Sequence, residues 1–207
     1  MKKRISVYID GANFFGGINN FNKFYFDTNF DFENYIKSLI GKDNLIQVYY
    51  YNGYLKKKIN PNVWGRQNTL FNRLKKLKKW KVFLFRKQKC DDEEGTFHFK
   101  MKEDDLNLAI NALSDAYEDR FDKMILISSD RDFIPLIKQI QKIKKEISIC
   151  YFQGSTSNRV LNLFQDKDKL KITKNIVKKY FLSPHMPNYL KPLLPSKIPQ
   201  TLFLFLF

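Results

Sequence analysis

The chain has 207 residues, of which 37 are lysine or arginine and 21 are aspartate or glutamate, giving a formal net charge of +16. This length suffices for one domain with a core and a short extension, and the charge makes a polyanion the expected partner, with nucleic acid ahead of an anionic membrane surface. Two cysteines without a Cys-x-x-Cys pair and only two histidines argue against a disulfide framework, a zinc site and a Ser-His-Asp triad. The lysine excess also reflects a composition that is rich in Asn, Ile, Lys and Phe throughout.

The two ends of the chain bear on its location. The first residues lead directly into a predicted strand without the apolar segment of a signal peptide, and together with the cysteine content this favours a cytoplasmic protein. The apolar segment Leu202–Phe207 is too short to span a bilayer, so we expect no membrane partner. Docking of this segment on a neighbour would produce a homo-oligomer; a terminal segment without a role is the alternative that we favour.

Apolar runs and apolar residues at helical spacing alternate along the chain. In chain order, the pattern predicts strands over residues 5–9, 45–54, 81–86, 124–127, 146–152 and 169–173, with a short exposed strand or hairpin arm over 96–100. It predicts helices over residues 32–40, 63–80, 106–113, 133–140 and near 157–164, and an irregular helix start or a loop over 14–29. Strands that alternate with helices indicate an α/β fold with a mainly parallel sheet flanked by helices.

A change of composition marks the end of the predicted domain. Five of the seven prolines lie between residues 184 and 199, and no core pattern continues there. We therefore predict one domain over residues 1–175 and an extended or flexible tail over residues 176–207.

An acid follows the first predicted strand directly. Asp10 stands at the start of Asp-Gly-Ala-Asn, in which Gly11 permits a sharp turn and Asn13 completes the motif. An Asp-Gly turn without any chemistry is the alternative, and for this segment alone it is the commoner case.

Two further places supply acids. Asp104 and Asp105 fall in the first turn of the helix over 106–113, where acids also suit the helix macrodipole without any further role. Asp130 and Asp132 follow the strand over 124–127, at a strand-to-helix junction of the kind at which open α/β sheets bind ligands. A helix N-cap at Asp132 and an ordinary loop acid at Asp130 are the structural alternative.

The joint placement of these acids favours a metal site. Four carboxylates at one edge of a sheet repel each other unless cations lie between them, and carboxylate oxygens suit Mg²⁺ and Mn²⁺. One or two such ions would neutralise the acids and bind the phosphodiester of a nucleic acid. The basic face of the helix over 63–80 is either a solvated surface, which we favour slightly, or a surface that follows phosphates.

Three acidic segments and a closing helix resemble one known family. Residues 9–14 (IDGANF), 102–109 (KEDDLNLA) and 127–133 (ISSDRDF), with the segment from Ser155 to Asp166, resemble the NYN domain family, in its LabA-like or DUF88 branch of the PIN-like nucleases. The resemblance covers roughly residues 4–173. The order and spacing of all three acidic segments make it more specific than any one of them alone.

The resemblance implies a PIN-like, Rossmann-like three-layer sandwich and a metal-dependent ribonuclease. By position, the metal-binding acids would be Asp10, Asp105, Asp130 and Asp132, and Asn13 would support them. The implied cofactor is Mg²⁺ or Mn²⁺, and the implied partner is single-stranded or structured RNA. The basic residues that we expect to bind the RNA are Lys102, Arg131, Arg66, Arg73 and Lys76.

The chain departs from the family pattern at three positions. Asp104 stands where the family usually has an apolar residue, Ser129 replaces a usual glycine, and Asn111 stands where an acid is common. The change at Asn111 favours an alternative function, a non-catalytic RNA-binding module on the same fold.

Overall fold

Eight strands and seven α-helices make up the part of the chain that the structure describes. The structure is a computed structural model that describes residues 2–23, 27–86, 88–91, 97–100 and 103–181. The strands are β1 (Arg4–Asp10), β2 (Asn44–Tyr54), β3 (Trp80–Arg86), β4 (Gln88–Asp91), β5 (Phe97–Lys100), β6 (Lys123–Ile127), β7 (Glu146–Phe152) and β8 (Lys169–Ile172). The helices are α1 (Gly11–Phe21), α2 (Phe32–Ile40), α3 (Pro61–Lys75), α4 (Glu103–Tyr117), α5 (Ile134–Lys142), α6 (Asn158–Leu161) and α7 (Lys174–Lys179).

Six of these strands form one parallel sheet in the order β3-β2-β1-β6-β7-β8. β4 and β5 form a separate antiparallel hairpin, as the alternation near residue 98 predicts. β2 and β3 follow β1 towards one side of the sheet, and β7 and β8 follow β6 towards the other side. The direction of the strand order therefore reverses between the neighbouring strands β1 and β6. Because the sheet is parallel, all the strands end at the same edge, and ligands of such sheets bind where the order reverses.

Helices cover both faces of the sheet, which confirms the predicted three-layer α/β sandwich. Alternate residues of each strand point to opposite faces. In β1, Val7 and Ile9 pack with α1, α2, α3 and α7 on one face, whereas Tyr8 packs with α4, α5 and α6 on the other. Both cores are rich in aromatic rings, as the composition predicts: Phe14 contacts the ring of Phe152 with a centroid separation of 5.3 Å.

The structure differs from the predicted elements in three places. Of the two alternatives predicted over residues 14–29, the helix forms, but as a regular helix that already begins at Gly11, since burial of Phe14 and Ile18 outweighs the low helix propensity of its glycines and asparagines. Helix α3 ends at Lys75 rather than at residue 80, because a turn in which Lys79 has a φ of 66° leads into β3. Helix α6 has only four residues, of which Val160 is buried.

Helix α7 continues the packed structure to the end of the described residues. Val177 is fully buried, and Phe181 forms an isolated β-bridge with Phe30. The proline-rich tail from residue 182 lies outside the described residues, so the division of the chain near residue 175 stays a prediction. None of the helices in the described ranges is long and apolar enough to cross a membrane.

Candidate active site

Asp10 and Asp130 lie at the carboxyl edge of the sheet, on either side of the point where the strand order reverses. Asp10 is the last residue of β1, and Asp130 follows the last residue of β6 by three positions. The two strands are hydrogen-bonded neighbours, with Ile9 opposite Ile127. The parallel topology therefore brings these two acidic segments together at one edge of the sheet, as the sequence predicts.

Asp10 is a buried carboxylate that caps a helix. Only 5% of the residue is exposed. Its Oδ1 accepts a hydrogen bond from the backbone N–H of Asn13 at 2.9 Å, as the N-cap of α1, and its Oδ2 accepts one from the hydroxyl of Ser128 at 3.0 Å. The pKa of Asp10 is raised to about 7: burial is the largest cause and the charges of Asp105 and Asp104 add to it, against the lowering effect of the two hydrogen bonds.

Serine and asparagine side chains join the two acidic segments. The hydroxyl of Ser128, which donates to Asp10, also accepts the backbone N–H of Asp130 at 3.1 Å. The Oδ1 of Asn13 accepts the backbone N–H of Ser129 at 2.8 Å. These bonds fix the loop after β6 to the start of α1, so the acids at the two strand ends hold a defined relative position.

Asp130 and Asp132 begin a short 3₁₀ helix over Arg131–Phe133. Asp130 is its N-cap and accepts the backbone N–H of Asp132 at 2.9 Å. The sequence alternative, in which Asp132 is the N-cap of the following helix, is wrong: Asp130 is the N-cap of the 3₁₀ helix, and Phe133 is the N-cap of α5, which begins at Ile134. Asp132 and Arg131 are both exposed beside the cap.

Helix α4 brings the third acidic segment to the same edge. Asp104 is only 4% exposed, whereas its neighbour Asp105 is half-buried. Burial is the largest cause that raises the pKa of Asp105, to about 6, followed by the charges of Asp104, Asp130 and Asp132. Acids from three separate segments therefore lie close enough to disfavour each other's ionisation.

Two hydrogen bonds to strand tyrosines hold α4 against the sheet. The hydroxyl of Tyr8 donates to Oδ2 of the buried Asp115 at 2.6 Å. The Nδ2 of Asn111 donates to the hydroxyl of Tyr51 at 2.9 Å. Asn111, which stands at a position where an acid is common in the resembled family, is thus engaged with β2.

Gly11 is required by the crowding at this edge. A Cβ atom at Gly11 would lie 2.6 Å from the Tyr50 ring and 2.8 Å from the Asn52 amide. The amide of Asn52 in turn donates to the Tyr50 hydroxyl at 2.9 Å. A side chain at position 11 would displace this pair and the start of α1 with it.

A family model for the NYN domain matches residues 4–167, which is most of the chain and includes all three acidic segments. The chain belongs to the NYN domain family. NYN domains are part of the PIN-like nuclease superfamily, whose members typically use divalent metal ions. The family model does not distinguish the LabA-like or DUF88 branch, which stays a prediction.

One solved structure shares the fold of this NYN domain. It is the crystal structure of a protein of unknown function from Vibrio parahaemolyticus, with a TM-score of 0.57 and 18% sequence identity. The similarity covers 84% of this chain and 93% of the other. A comparison with curated proteins found no similar sequence.

The donor chemistry of the NYN site fits a hard divalent ion. The acids offer only oxygen, which Mg²⁺ and Mn²⁺ prefer, and a cation among them would relieve the repulsion that raises the pKa of Asp10 and Asp105. Within the described ranges, no three His, Cys, Asp or Glu side chains are grouped so as to hold a metal ion by themselves. Mg²⁺ in nucleic-acid enzymes is commonly held by one or two carboxylates together with substrate phosphate, and the arrangement matches that mode.

The predicted RNA-binding residues of the NYN domain occupy different positions. Arg131 is exposed beside the acids, and Arg66 is half-buried in the first half of α3. Arg73 donates to the backbone carbonyls of Thr28 and Phe30 at 2.6 and 2.8 Å. Lys76 follows α3 and is exposed near the amino edge of the sheet, and Lys102 lies outside the described residues. Their roles in binding stay predictions.

Two residues have a larger part in the site than the sequence predicts. Ser128 is not among the predicted site residues, and nothing in the sequence gives it the role of bridging Asp10 and Asp130. Asp104 seemed less important than Asp105 because it stands at a usually apolar position. Asp104 is buried in the structure, so the apolar residue that the family usually has at this position already indicates a side chain that faces the interior.

Proposed function

We propose that this NYN domain is a Mg²⁺- or Mn²⁺-dependent endoribonuclease that hydrolyses phosphodiester bonds of single-stranded or structured RNA in the cytoplasm. The observation that carries the proposal is the match of the NYN family model to residues 4–167, together with the placement of Asp10 and Asp130 after two neighbouring parallel strands and their link through Ser128. The raised pKa of Asp10 and of Asp105, each due in part to the other acidic segments, agrees with it. Buried carboxylates that disfavour each other's charge are costly to a fold, and such perturbed groups cluster at functional sites.

The surroundings of each acid determine its role in the proposed site. Asp10, fixed by Ser128 and by the first turn of α1, supplies the most rigid oxygens. Asp105, Asp130 and Asp132 would supply further oxygens from α4 and from the loop after β6, with one or two of the acids binding a given ion and substrate phosphate completing its ligands. When bound among them, a divalent ion supplies Lewis-acid chemistry to the phosphodiester.

Other groups position this set. Asn13 holds the loop after β6 through the Ser129 backbone N–H. The exposed guanidinium of Arg131 lies beside the acids and is suited to bind a phosphate next to the scissile one. No protein nucleophile is needed in this mechanism, so the chain's acids and amides act by binding and orientation.

The test is cleavage of end-labelled single-stranded RNA in Mn²⁺, in Mg²⁺ and in EDTA by the wild-type protein and by the Asp130→Asn variant. Asparagine is as good an N-cap as aspartate, so this variant keeps the 3₁₀ helix while losing the charge. Asp166→Asn is the control, because Asp166 has a side chain that is 99% exposed and precedes β8 at the opposite edge of the sheet.

We expect metal-dependent cleavage by the wild-type and Asp166→Asn proteins. Asp130→Asn is expected to lose at least 100-fold in rate, while its RNA affinity in EDTA changes little. Cleavage by Asp130→Asn at the wild-type rate would refute the assignment of the site.

A second candidate is supported by the position of Asn111. Its amide is engaged with Tyr51 and contributes no carboxylate to the acid cluster. On this alternative, the domain binds RNA without cutting it, with an affinity that falls steeply with salt concentration and needs no metal. RNA binding that is unchanged by EDTA, without cleavage in any metal tested, is the result that would favour it.

A further inference from the structure

An open cavity lies between α3 and the ends of β2 and β3, apart from the acids. Its volume is about 190 Å³, and it is lined by Tyr54, Trp64, Gln67, Asn68, Phe71 and Leu84. Three of the six lining side chains are aromatic. An engineered cavity of about 150 Å³ in another protein takes up benzene, so this volume accepts a planar ring of that size.

The polar groups of the cavity have two distinct roles. The amide of Gln67 donates to the Gly53 carbonyl at 3.0 Å and accepts the Leu55 backbone N–H at 3.1 Å, so it shapes the wall by holding the turn after β2. Asn68 is exposed, and its amide makes no hydrogen bond to any residue in the described part of the chain. It is therefore free to donate to and accept from a polar ring edge.

Positive charges crowd the rim. Arg86 ends β3, and Lys56 and Lys58 lie in the loop between β2 and α3. The pKa of Lys56 is lowered, chiefly by the charge of Arg86, then by partial desolvation and by Lys58. Within the described ranges, none of these three cations is paired with a carboxylate. Such a cluster fits an anionic ligand.

The indole ring of Trp64 already attracts a cation. The Nζ atom of Lys57 lies 5.3 Å from its ring centroid, and Lys57 is exposed. A flat, partly exposed indole with lysines beside it is the combination by which proteins bind single-stranded nucleic acid, in which bases stack on the ring and lysines follow the backbone. Lys57 can move to a phosphate when a base takes its place on the ring.

The cavity and the acids share one edge of the sheet. Tyr54 is the last residue of β2, which lies between β1 and β3. Neighbouring strands are about 4.8 Å apart, so the carboxyl ends of β1 and β3 are separated by roughly 10 Å across the sheet. A short length of single-stranded RNA spans this distance.

We propose that this cavity binds one unpaired base of the RNA substrate, with stacking on Trp64, polar contact with Asn68, and Lys56, Lys58 and Arg86 on the adjacent phosphates. The inference rests on the proposed function for the identity of the strand as a substrate. It does not depend on catalysis, since a base is bound in the same way whether or not the phosphodiester is cut.

The experiment measures the affinity of full-length protein for a fluorescein-labelled oligouridine by fluorescence anisotropy in EDTA, where no metal-dependent cleavage occurs. Trp64→Ala is expected to weaken binding about tenfold, the effect of removing one stacked base. Trp64→Phe keeps a ring and is expected to stay within about threefold of the wild-type affinity.

Two exposed positions provide variants that do not depend on the integrity of the core. Asn68→Ala and Arg86→Gln are each expected to weaken binding several-fold, and Arg86→Gln also lowers the salt dependence by about one released counterion. Lys42→Gln is the matched control, because Lys42 is equally exposed but precedes β2 at the amino edge of the sheet; it is expected to change affinity by less than about twofold.

The outcomes separate the two proposals. Equal affinity of the wild-type, Trp64→Ala and Asn68→Ala proteins would overturn the base-binding cavity while leaving the ribonuclease proposal intact. Affinity that depends on Trp64 and Asn68 in a protein that cuts no RNA in any metal would support the cavity and refute the nuclease. Absence of any RNA binding by the wild-type protein would overturn the cavity as well.

Discussion

Replacement of Asp10 by asparagine is expected to make the metal-free protein more stable at neutral and alkaline pH. Asp10 is buried and carries a pKa of about 7, against an ordinary value of 3.8. At about 1.4 kcal/mol per pH unit, full ionisation of this group in the folded chain costs on the order of 4 kcal/mol. Loss of the favourable contact between the charge and the start of α1 removes about 1 kcal/mol of the gain.

The net gain is therefore about 2–3 kcal/mol, which for a chain of this size raises Tm by about 4–12 °C. The sign of the pH dependence follows from linkage. Between pH 3.8 and about pH 7 the folded chain keeps a proton that the unfolded chain has released, so the stability of the wild-type protein falls as the pH rises through this window. The cost of ionisation is absent below the window and complete above it, so the advantage of Asp10→Asn grows with pH.

The assay is thermal unfolding in EDTA at about pH 5 and about pH 8, with Asp31→Asn as the matched control. Asp31 caps α2 through the Asn34 backbone N–H at 3.1 Å, so it has the same capping role outside the acid cluster, and Glu33 beside it is paired with Lys37. Its replacement is expected to change stability by less than about 1 kcal/mol. If Asp10→Asn is no more stable than Asp31→Asn at pH 8, the argument that burial and like charges destabilise the site is refuted.

Three further predictions test the packing and the site. Gly17→Ala is expected to lower Tm by several degrees, because the new Cβ atom would lie 2.2 Å from the Phe152 ring. Gly16→Ala is expected to stabilise the protein by up to about 1 kcal/mol through helix propensity, because a Cβ atom there meets nothing within 4 Å. Equal Tm shifts of the two variants in a thermal melt would contradict the placement of α1. Arg73→Gln is expected to cost roughly 1–3 kcal/mol in urea unfolding, because two backbone carbonyls lose a charged donor; unchanged stability would contradict a structural role. Ser128→Ala removes the hydrogen bond that lowers the pKa of Asp10. The acidic limb of the plot of cleavage rate against pH is therefore expected to move to higher pH. An unchanged acidic limb would contradict the role of Ser128 as a bridge between Asp10 and Asp130.

The fold and the edge on which the acids lie could be predicted from the sequence because both depend on strong local patterns. The runs that became β1 and β6 are almost entirely apolar, with Ser6 as the exception, and an acid stands within three residues of the end of each run, so a parallel sheet places Asp10 and Asp130 at one edge. Helix α1 could be predicted only as one of two alternatives, an irregular helix start or a loop, since its glycines and asparagines conceal a helix that is stabilised by Phe14 and Ile18 in the core.

Side-chain roles that depend on contacts distant in sequence could not be predicted either. Arg73 belongs to a lysine-rich segment that looks like a solvated or phosphate-binding face, yet its guanidinium binds carbonyls more than 40 residues earlier in the chain. The cluster of Lys56 and Arg86 has the same origin, because pairing of β2 with β3 brings together charges that are 30 residues apart. Hydrophobic periodicity shows which face of a helix or strand a residue lies on, but it does not show which other helix, strand or loop packs against that face.

The measurement that tests the central claim most directly is the rate of cleavage of end-labelled single-stranded RNA in Mn²⁺ and in EDTA, by the wild-type protein and by Asp130→Asn in parallel. We predict cleavage by the wild-type protein in Mn²⁺ only, and none by Asp130→Asn in either condition. Equal cleavage in Mn²⁺ and EDTA, or equal cleavage by the two proteins, would contradict a metal-dependent site built on the acids at the carboxyl edge.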